Sequence, residues 1–90
     1  MITIEQYAEK INLSTGELNG NSREQKISVP RQVWWYYLHE NGFPVFTISR
    51  EFNRKHSTVI HGIKTVKGMI EVKDKTINRY LDALEIFSHL

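Results

Sequence analysis

Arg54-Lys55-His56-Ser57-Thr58 places two cations, an imidazole and two hydroxyls in five consecutive positions. Each of these side chains can donate a hydrogen bond, and the hydroxyls can also accept one. Burying such a set without partners is costly, so it does not suit an apolar core. It suits phosphate oxygens and the polar edges of bases. The stretch also falls at an expected helix start. A short helix should end at Phe52, Asn53-Arg54 should form a tight turn, and a longer helix should run from about His56 to about Val72. An α-helix fits the major groove of B-DNA, and its N-terminal residues reach base edges. The expectation is a helix-turn-helix over residues 46–72 or so, with double-stranded DNA as its partner.

The longer helix has a face for docking. Val59, Ile63, Val66 and Ile70 recur at spacings of 4, 3 and 4 and form an apolar seam. Ser57, His61, Lys64 and Thr65 lie roughly opposite. The same pattern serves an ordinary amphipathic helix in a small bundle. A second polar region is the basic loop Arg23 to Ser28 with the segment Pro30-Arg31-Gln32. Pro30 suits the first position of a helix, where its missing N–H costs nothing. Arg31 and Gln32 would then stand in the first turn, where a cation opposes the helix dipole. A bound phosphate there would remove the conflict.

Other chemistries find no support. His56 and His61 are five apart, off the i, i+4 spacing that aligns two ligands on one helical face. His39 and His89 have no evident partner, so no metal is expected. No G-x-x-x-x-G-K-[ST] motif occurs, and there is no nucleophile-base arrangement. Cysteine is absent, which removes thiolate sites and disulfides and fits a reducing compartment. The chain is expected to be no enzyme and to need no cofactor.

The remaining elements read as helices. Thr3 with Gln6, and Ser14 with Glu17, have capping-box spacing. The first opens a helix over residues 3–11 that turns Ile4, Tyr7, Ala8 and Ile11 inward. The second opens a single turn ending near Leu18. Val33, Trp34, Tyr37 and Leu38 share one face of the helix after Pro30, which Asn41-Gly42 should end. Trp34-Trp35-Tyr36-Tyr37 covers every side of that helix, so two or three rings should pack in the core. A base-stacking platform or an interface anchor is the alternative. Thr47 is expected to cap the short helix holding Ile48 and Phe52. Asp74 or Thr76 should cap a last helix with Ile77, Tyr80, Leu81 and Leu84 inward. No strand is evident. The chain reads as all-α, a small helical bundle.

Ninety residues make one domain, and 40% hydrophobic content allows one core. The net charge of +2 conceals a bias. Residues 23–68 hold eight Lys and Arg against three acids, a net +5, while both flanks are slightly acidic. The first residues show no basic n-region followed by an apolar h-region, so no signal peptide is expected, and no apolar run is long enough to span a bilayer. A cytoplasmic, nucleoid-associated protein is expected.

Pro30-Arg31-Gln32, Ile48-Ser49-Arg50-Glu51-Phe52 and Arg54-Lys55-His56-Ser57-Thr58-Val59-Ile60-His61 together resemble the C-terminal DNA-binding domain, domain IV, of the DnaA replication initiators. That family shows a Pro-Arg-Gln helix start, an Ile-Gly-x-x-Phe helix and an Arg-Asp-His-Thr-Thr-Val recognition-helix opening. The resemblance spans nearly the whole chain and implies a Trp-repressor-like fold. It implies that Arg54, His56, Ser57 and Thr58 sit at or near the major groove, that Arg23 or Lys26 matches a minor-groove or phosphate contact, and that Arg31 and Gln32 match phosphate-contacting positions. With the exposed face of the long helix added, Arg54, Lys55, His56, Ser57 and Thr58 are expected to read bases, and Arg23, Lys26, Arg31, Gln32, His61 and Lys64 to position phosphates. There are departures. Asn53 alone replaces a Gly-Gly, Ser49 replaces a Gly, Trp34 replaces a small residue, and Lys55 stands where the family has Asp. An Asp only accepts hydrogen bonds and a Lys only donates them, so the usual initiator box should not be read in the same way. The ninety residues hold no nucleotide-binding AAA+ domain, and the expectation is a stand-alone domain, not by itself an ATP-driven initiator. Replication control or transcriptional regulation would follow, with replication proteins or a second copy as further partners. The alternative is an interaction module that keeps the fold without DNA binding, with the aromatic run and the acidic last segment as its interface.

Overall fold

The computed structural model describes residues 1–86. Among these lie six α-helices, one 3-10 turn and no strand. They are α1 (Ile4–Lys10), α2 (Thr15–Asn19), α3 (Gln25–Glu40), α4 (Val45–Glu51), α5 (His56–Glu71), the 3-10 turn Lys75–Ile77 and α6 (Asn78–Ala83). Helices as short as α1 and α2 are marginal alone, and their ends show what holds them. Thr3 accepts from the Gln6 N–H, and the Gln6 side chain accepts from the Thr3 N–H. Ser14 and Glu17 do the same for α2. Both expected capping boxes are formed. Asp74, as expected, accepts from the Thr76 N–H and caps the 3-10 turn that leads into α6.

Every helix among the described residues except α2 stops by a shared device. After α4, the Asn53 N–H donates to Arg50 O at 3.2 Å and the Arg54 N–H to Ser49 O at 2.7 Å. This is the Schellman pattern, which needs a left-handed residue between helix and loop. Asn53 supplies it at φ 53°, a conformation that Asn tolerates because its short polar side chain bonds locally. Gly42 (φ 95°) and Asn12 (φ 59°) play the same part after α3 and α1. Asn53 therefore sets the turn between the two helices of the helix-turn-helix.

Helix α3 runs through the centre and packs against α2, α4, α5, α6 and the 3-10 turn. That is why four consecutive aromatics can be accommodated. Trp34, Trp35 and Tyr37 are buried and Tyr36 is half-buried. Trp34 stacks on Tyr7 with centroids 5.4 Å apart, and Trp35 meets Phe52 edge to face at 6.0 Å. The Tyr37 hydroxyl accepts from the Ile2 N–H at 2.7 Å. The run is core, so it forms neither a stacking platform nor an exposed interface anchor.

Two helix starts differ from expectation. Helix α3 begins at Gln25, with Glu24 as N-cap, and Pro30 lies inside it. Most of the expected basic loop is therefore helical. A proline there leaves the Lys26 carbonyl without its donor, but Lys26 is exposed and water can serve that carbonyl. Pro30 itself is buried and its carbonyl accepts from the Tyr7 hydroxyl at 2.7 Å. Helix α4 starts at Val45 with Pro44 as N-cap. Pro44 presets an extended turn into the helix and its carbonyl accepts from Thr47 and Ile48, so Thr47 lies within the helix instead of capping it. His89 lies outside the described residues.

Gly62 and Gly68 sit on the same helix in opposite circumstances. A Cβ on Gly62 would stand 2.8 Å from Trp35 Cε3 and 3.0 Å from Gln32 Cγ, whereas one on Gly68 would meet nothing within 4 Å. Gly62→Ala should lose about 1–3 kcal/mol by overpacking, despite a helix-propensity gain of about 1 kcal/mol. Gly68→Ala should gain about 0.5–1 kcal/mol. Urea unfolding of the two variants checks this, and equal shifts of the same sign would contradict the packing.

Candidate nucleic-acid interface

The N-terminus of α5 is open. Lys55 is its N-cap and makes no side-chain cap, and its first turn holds no acidic residue. The Thr58 and Val59 N–H groups reach Lys55 O, which leaves the first N–H groups of the helix to solvent. Lys55, His56, Ser57 and Thr58 are all exposed. Proteins usually satisfy a helix start with an acceptor, and an anion there also meets the positive end of the helix dipole. Here the chain supplies cations instead. Behind this end the apolar seam holds: Val59, Gly62, Ile63 and Val66 are buried, and Ile70 is half-buried. The docked seam leaves Ser57, His61 and Lys64 in solvent.

Beside the start of α5 lies a cleft between α3, α5 and the α2–α3 connection. Arg23, Arg31, Gln32, Arg54, Thr58 and His61 line it, with Asn21, Ser22, Ser28 and Trp35. No carboxylate is among these residues. Arg31 is only 5% exposed. It donates from Nε to Leu18 O at 2.6 Å, from Nη1 to Ser22 O at 2.9 Å and from Nη2 to Glu17 O at 3.0 Å. These are the last carbonyls of α2 and the start of the following loop. Arg31 therefore caps the C-terminus of α2, where a cation meets the negative end of the dipole. Arg54 donates to Phe52 O at 2.8 Å and to Gly20 O, tying the helix-turn-helix turn to the same loop. A guanidinium carries five N–H groups, so both retain donors for a ligand. Burial and, secondarily, the Arg54 charge lower the Arg31 pKa from its ordinary value. Two guanidinia thus share a carboxylate-free cleft, each held only by carbonyls.

Six of the eleven expected contact residues meet in or at this cleft. Lys55, His56, Ser57 and Lys64 stand exposed on α5 outside it. Lys26 is not brought to it. It pairs with Glu24 at 3.4 Å and borders a different groove with Val29, Met69 and Tyr80. Arg31 and Gln32 are not at a helix start, so the expected dipole conflict does not arise. Sequence reasoning missed the capping role of Arg31, because its carbonyl partners lie up to 14 residues away and leave no local signal.

The chain matches the family described as "Bacterial dnaA protein helix-turn-helix" over residues 3–66. It is 38% identical over 71 residues to the chromosomal replication initiator protein DnaA of Kosmotoga olearia, covering 72% of this chain and 16% of that protein. It is 32% identical over 85 residues to that of Lachnoclostridium phytofermentans, covering 92% and 18%. For Wolbachia pipientis wMel the figures are 30% over 82 residues, 82% and 17%. The chain thus spans between 16% and 18% of the length of these relatives. No solved structure matches it. No helix among the described residues is long and apolar enough to cross a membrane.

Arg31→Lys tests the cap. One ammonium cannot serve three carbonyls in this arrangement, so the substitution should cost about 1–3 kcal/mol through unsatisfied buried groups. Denaturant unfolding measures it, and an unchanged midpoint would mean the three bonds contribute little.

Proposed function

The chain belongs to the bacterial DnaA helix-turn-helix family, a DNA-binding family, and from that premise we propose that it reads a specific sequence in double-stranded DNA. The observation that carries this is the pairing of an open, donor-rich α5 N-terminus with a neighbouring carboxylate-free cleft. A groove of duplex DNA offers what each lacks: base-edge acceptors for the first and phosphate oxygens for the second.

In this reading Arg54, Lys55, His56, Ser57 and Thr58 take the base edges. Arg54 is the most constrained of them, since two of its N–H groups are already engaged. Lys55 donates only, so its partner is guanine O6 or N7 or a phosphate. Arg23, Arg31, Gln32 and His61 take phosphates from the cleft, and Lys64 takes one further along α5. Lys26, on another side of α3, contributes to the general positive field more than to this contact. The relatives are named as chromosomal replication initiators, and we place this chain in replication control or transcriptional regulation at such sites, on the nucleoid. Replication proteins or a second copy of the chain are its further partners. The work is binding and positioning, with no catalytic step and no cofactor.

Selection from a random duplex pool on the immobilised protein should enrich one short motif. With about five phosphates neutralised, log affinity for that motif should fall with log salt at a slope of about −4 to −5. A flat response would sink the phosphate cleft. His56→Ala should cost about 1–3 kcal/mol and relax one base position, while Lys64→Ala should weaken all sequences alike. Identical losses across sequences for both variants would refute the division into base and phosphate contacts.

A further inference from the structure

The end of α5 far from the candidate interface stops on an unusual residue. After α1, α3 and α4 the left-handed residue is Asn12, Gly42 and Asn53, types that adopt this backbone readily. After α5 it is Lys73, at φ 57°, where a long side chain on a Cβ is disfavoured. The turn itself does not ask for lysine. Its two bonds are made by backbone alone, from the Lys73 N–H to Ile70 O at 3.0 Å and from the Asp74 N–H to Met69 O at 2.9 Å. A disfavoured conformation held at one place raises the question of what the side chain does there. Glu85, after α6, is in the same state at φ 61°. It borders a cleft where Glu9 and Lys10 carry both signs, so that cleft selects no one partner charge.

Lys73 stands at the rim of a hollow of about 280 Å³ between the end of α5, the 3-10 turn and α6. Ile70, half-buried, forms an apolar wall, and Ile77 and Leu81 of the core lie beneath. Lys73 and Lys75 supply the rim, and both are exposed. Among the described residues neither is in an ion pair. Asp74 also lines the hollow, but its carboxylate is bound within its own turn. It accepts from the Thr76 N–H at 2.9 Å and from the Thr76 hydroxyl at 2.7 Å. Val72, the C-cap of α5, is 74% exposed beside Lys73 and extends the apolar surface.

We propose that this hollow is a docking site for an acidic amphipathic segment of a partner protein. The segment seats an apolar side chain against Ile70, over Ile77 and Leu81, and sets carboxylates against Lys73 and Lys75. Charge complementarity chooses the sign of the partner, and the apolar base chooses its class. Nucleic acid would meet the lysines but has no aliphatic anchor for the hollow. A lipid surface is anionic and apolar, yet it is broad, whereas the hollow admits a projecting side chain. Helix α5 has 16 residues and is about 24 Å long, so the hollow lies at the opposite end of that helix from Lys55 to Thr58. The partner and a duplex can therefore be held at once. The proposal stands independently of the DNA-reading one.

The probe is a labelled synthetic helical peptide with Glu on one face and Leu and Phe on the other, titrated with the full chain by anisotropy. The double variant Lys73→Gly, Lys75→Gln removes both rim charges. Glycine accepts the left-handed backbone at no steric cost, so the variant should fold, and its urea midpoint should not fall. It should bind the peptide about fivefold more weakly, the combined loss of two surface ion pairs. A peptide with Ser in place of Leu and Phe should not bind the wild type. Lys64→Ala, at the basic surface, should leave peptide affinity unchanged. A wild type that does not bind the peptide would overturn the proposal, as would equal affinity in the double variant or equal binding of the Ser peptide. A loss in Lys64→Ala as large as in the double variant would place the peptide on the basic surface and overturn it too. So would capture by anionic lipid vesicles of wild type that ignores the peptide.

Discussion

The close approach of α5 to α3 at Gly62 is the constraint on which the rest of the molecule depends. With no side chain there, the α5 backbone comes down onto Trp35 and Gln32, within a distance that a Cβ would violate. That contact holds the seam Val59, Ile63 and Val66 against the core. It also fixes the cleft. Arg31 and Gln32 directly precede the Trp35 turn of α3, and Thr58 and His61 lie in the α5 turn beside Gly62, so a close contact at Trp35 brings all four to one edge. A larger residue would lift the exposed helix start away from the cleft and change the spacing between two sets of donors.

Guanidinium-to-carbonyl bonding supplies the second level of organisation. Arg31 gathers three carbonyls from the end of α2 and the loop after it, and Arg54 gathers Gly20 of the same loop. Carbonyl partners neutralise less charge than carboxylates would, so the bonds position the side chains and leave the cleft electropositive. Similar crossed caps occur away from it: Lys10 donates to Ala83 O and Arg79 to Ile11 O. Short helices that would be marginal in isolation are thus closed by cations from distant segments, and at the cleft the same device leaves cationic groups beside the open end of α5.

Much of this was legible in the sequence. The capping boxes at Thr3 and Ser14 are local patterns with a defined spacing, and they formed as expected. The α5 seam was visible because its period is regular over about three turns. The start of α3 is not legible locally, because the first helical turn is where proline is least costly, while the tertiary bond from the Tyr7 hydroxyl and burial of the ring stabilise Pro30 within the helix. Thr47 has a side chain that suits a cap, yet Pro44 opens the helix three residues earlier. Tertiary packing settled the aromatic run, since only a helix surrounded on several sides can bury Trp34, Trp35 and Tyr37 together. The convergence of Arg31 and Arg54 joins residues far apart in sequence, where periodicity and spacing carry no information.

The central claim is that the α5 N-terminus and the adjacent cleft form one continuous DNA-contacting surface. Amide and guanidinium NMR shifts, recorded as the selected duplex is added, test it most directly. The account predicts that the largest changes fall on Lys55 to Thr58, His61 and the Arg31 and Arg54 guanidinia, with α1 and α6 nearly silent. Changes centred on α1 and α6, with the α5 start unaffected, would contradict it.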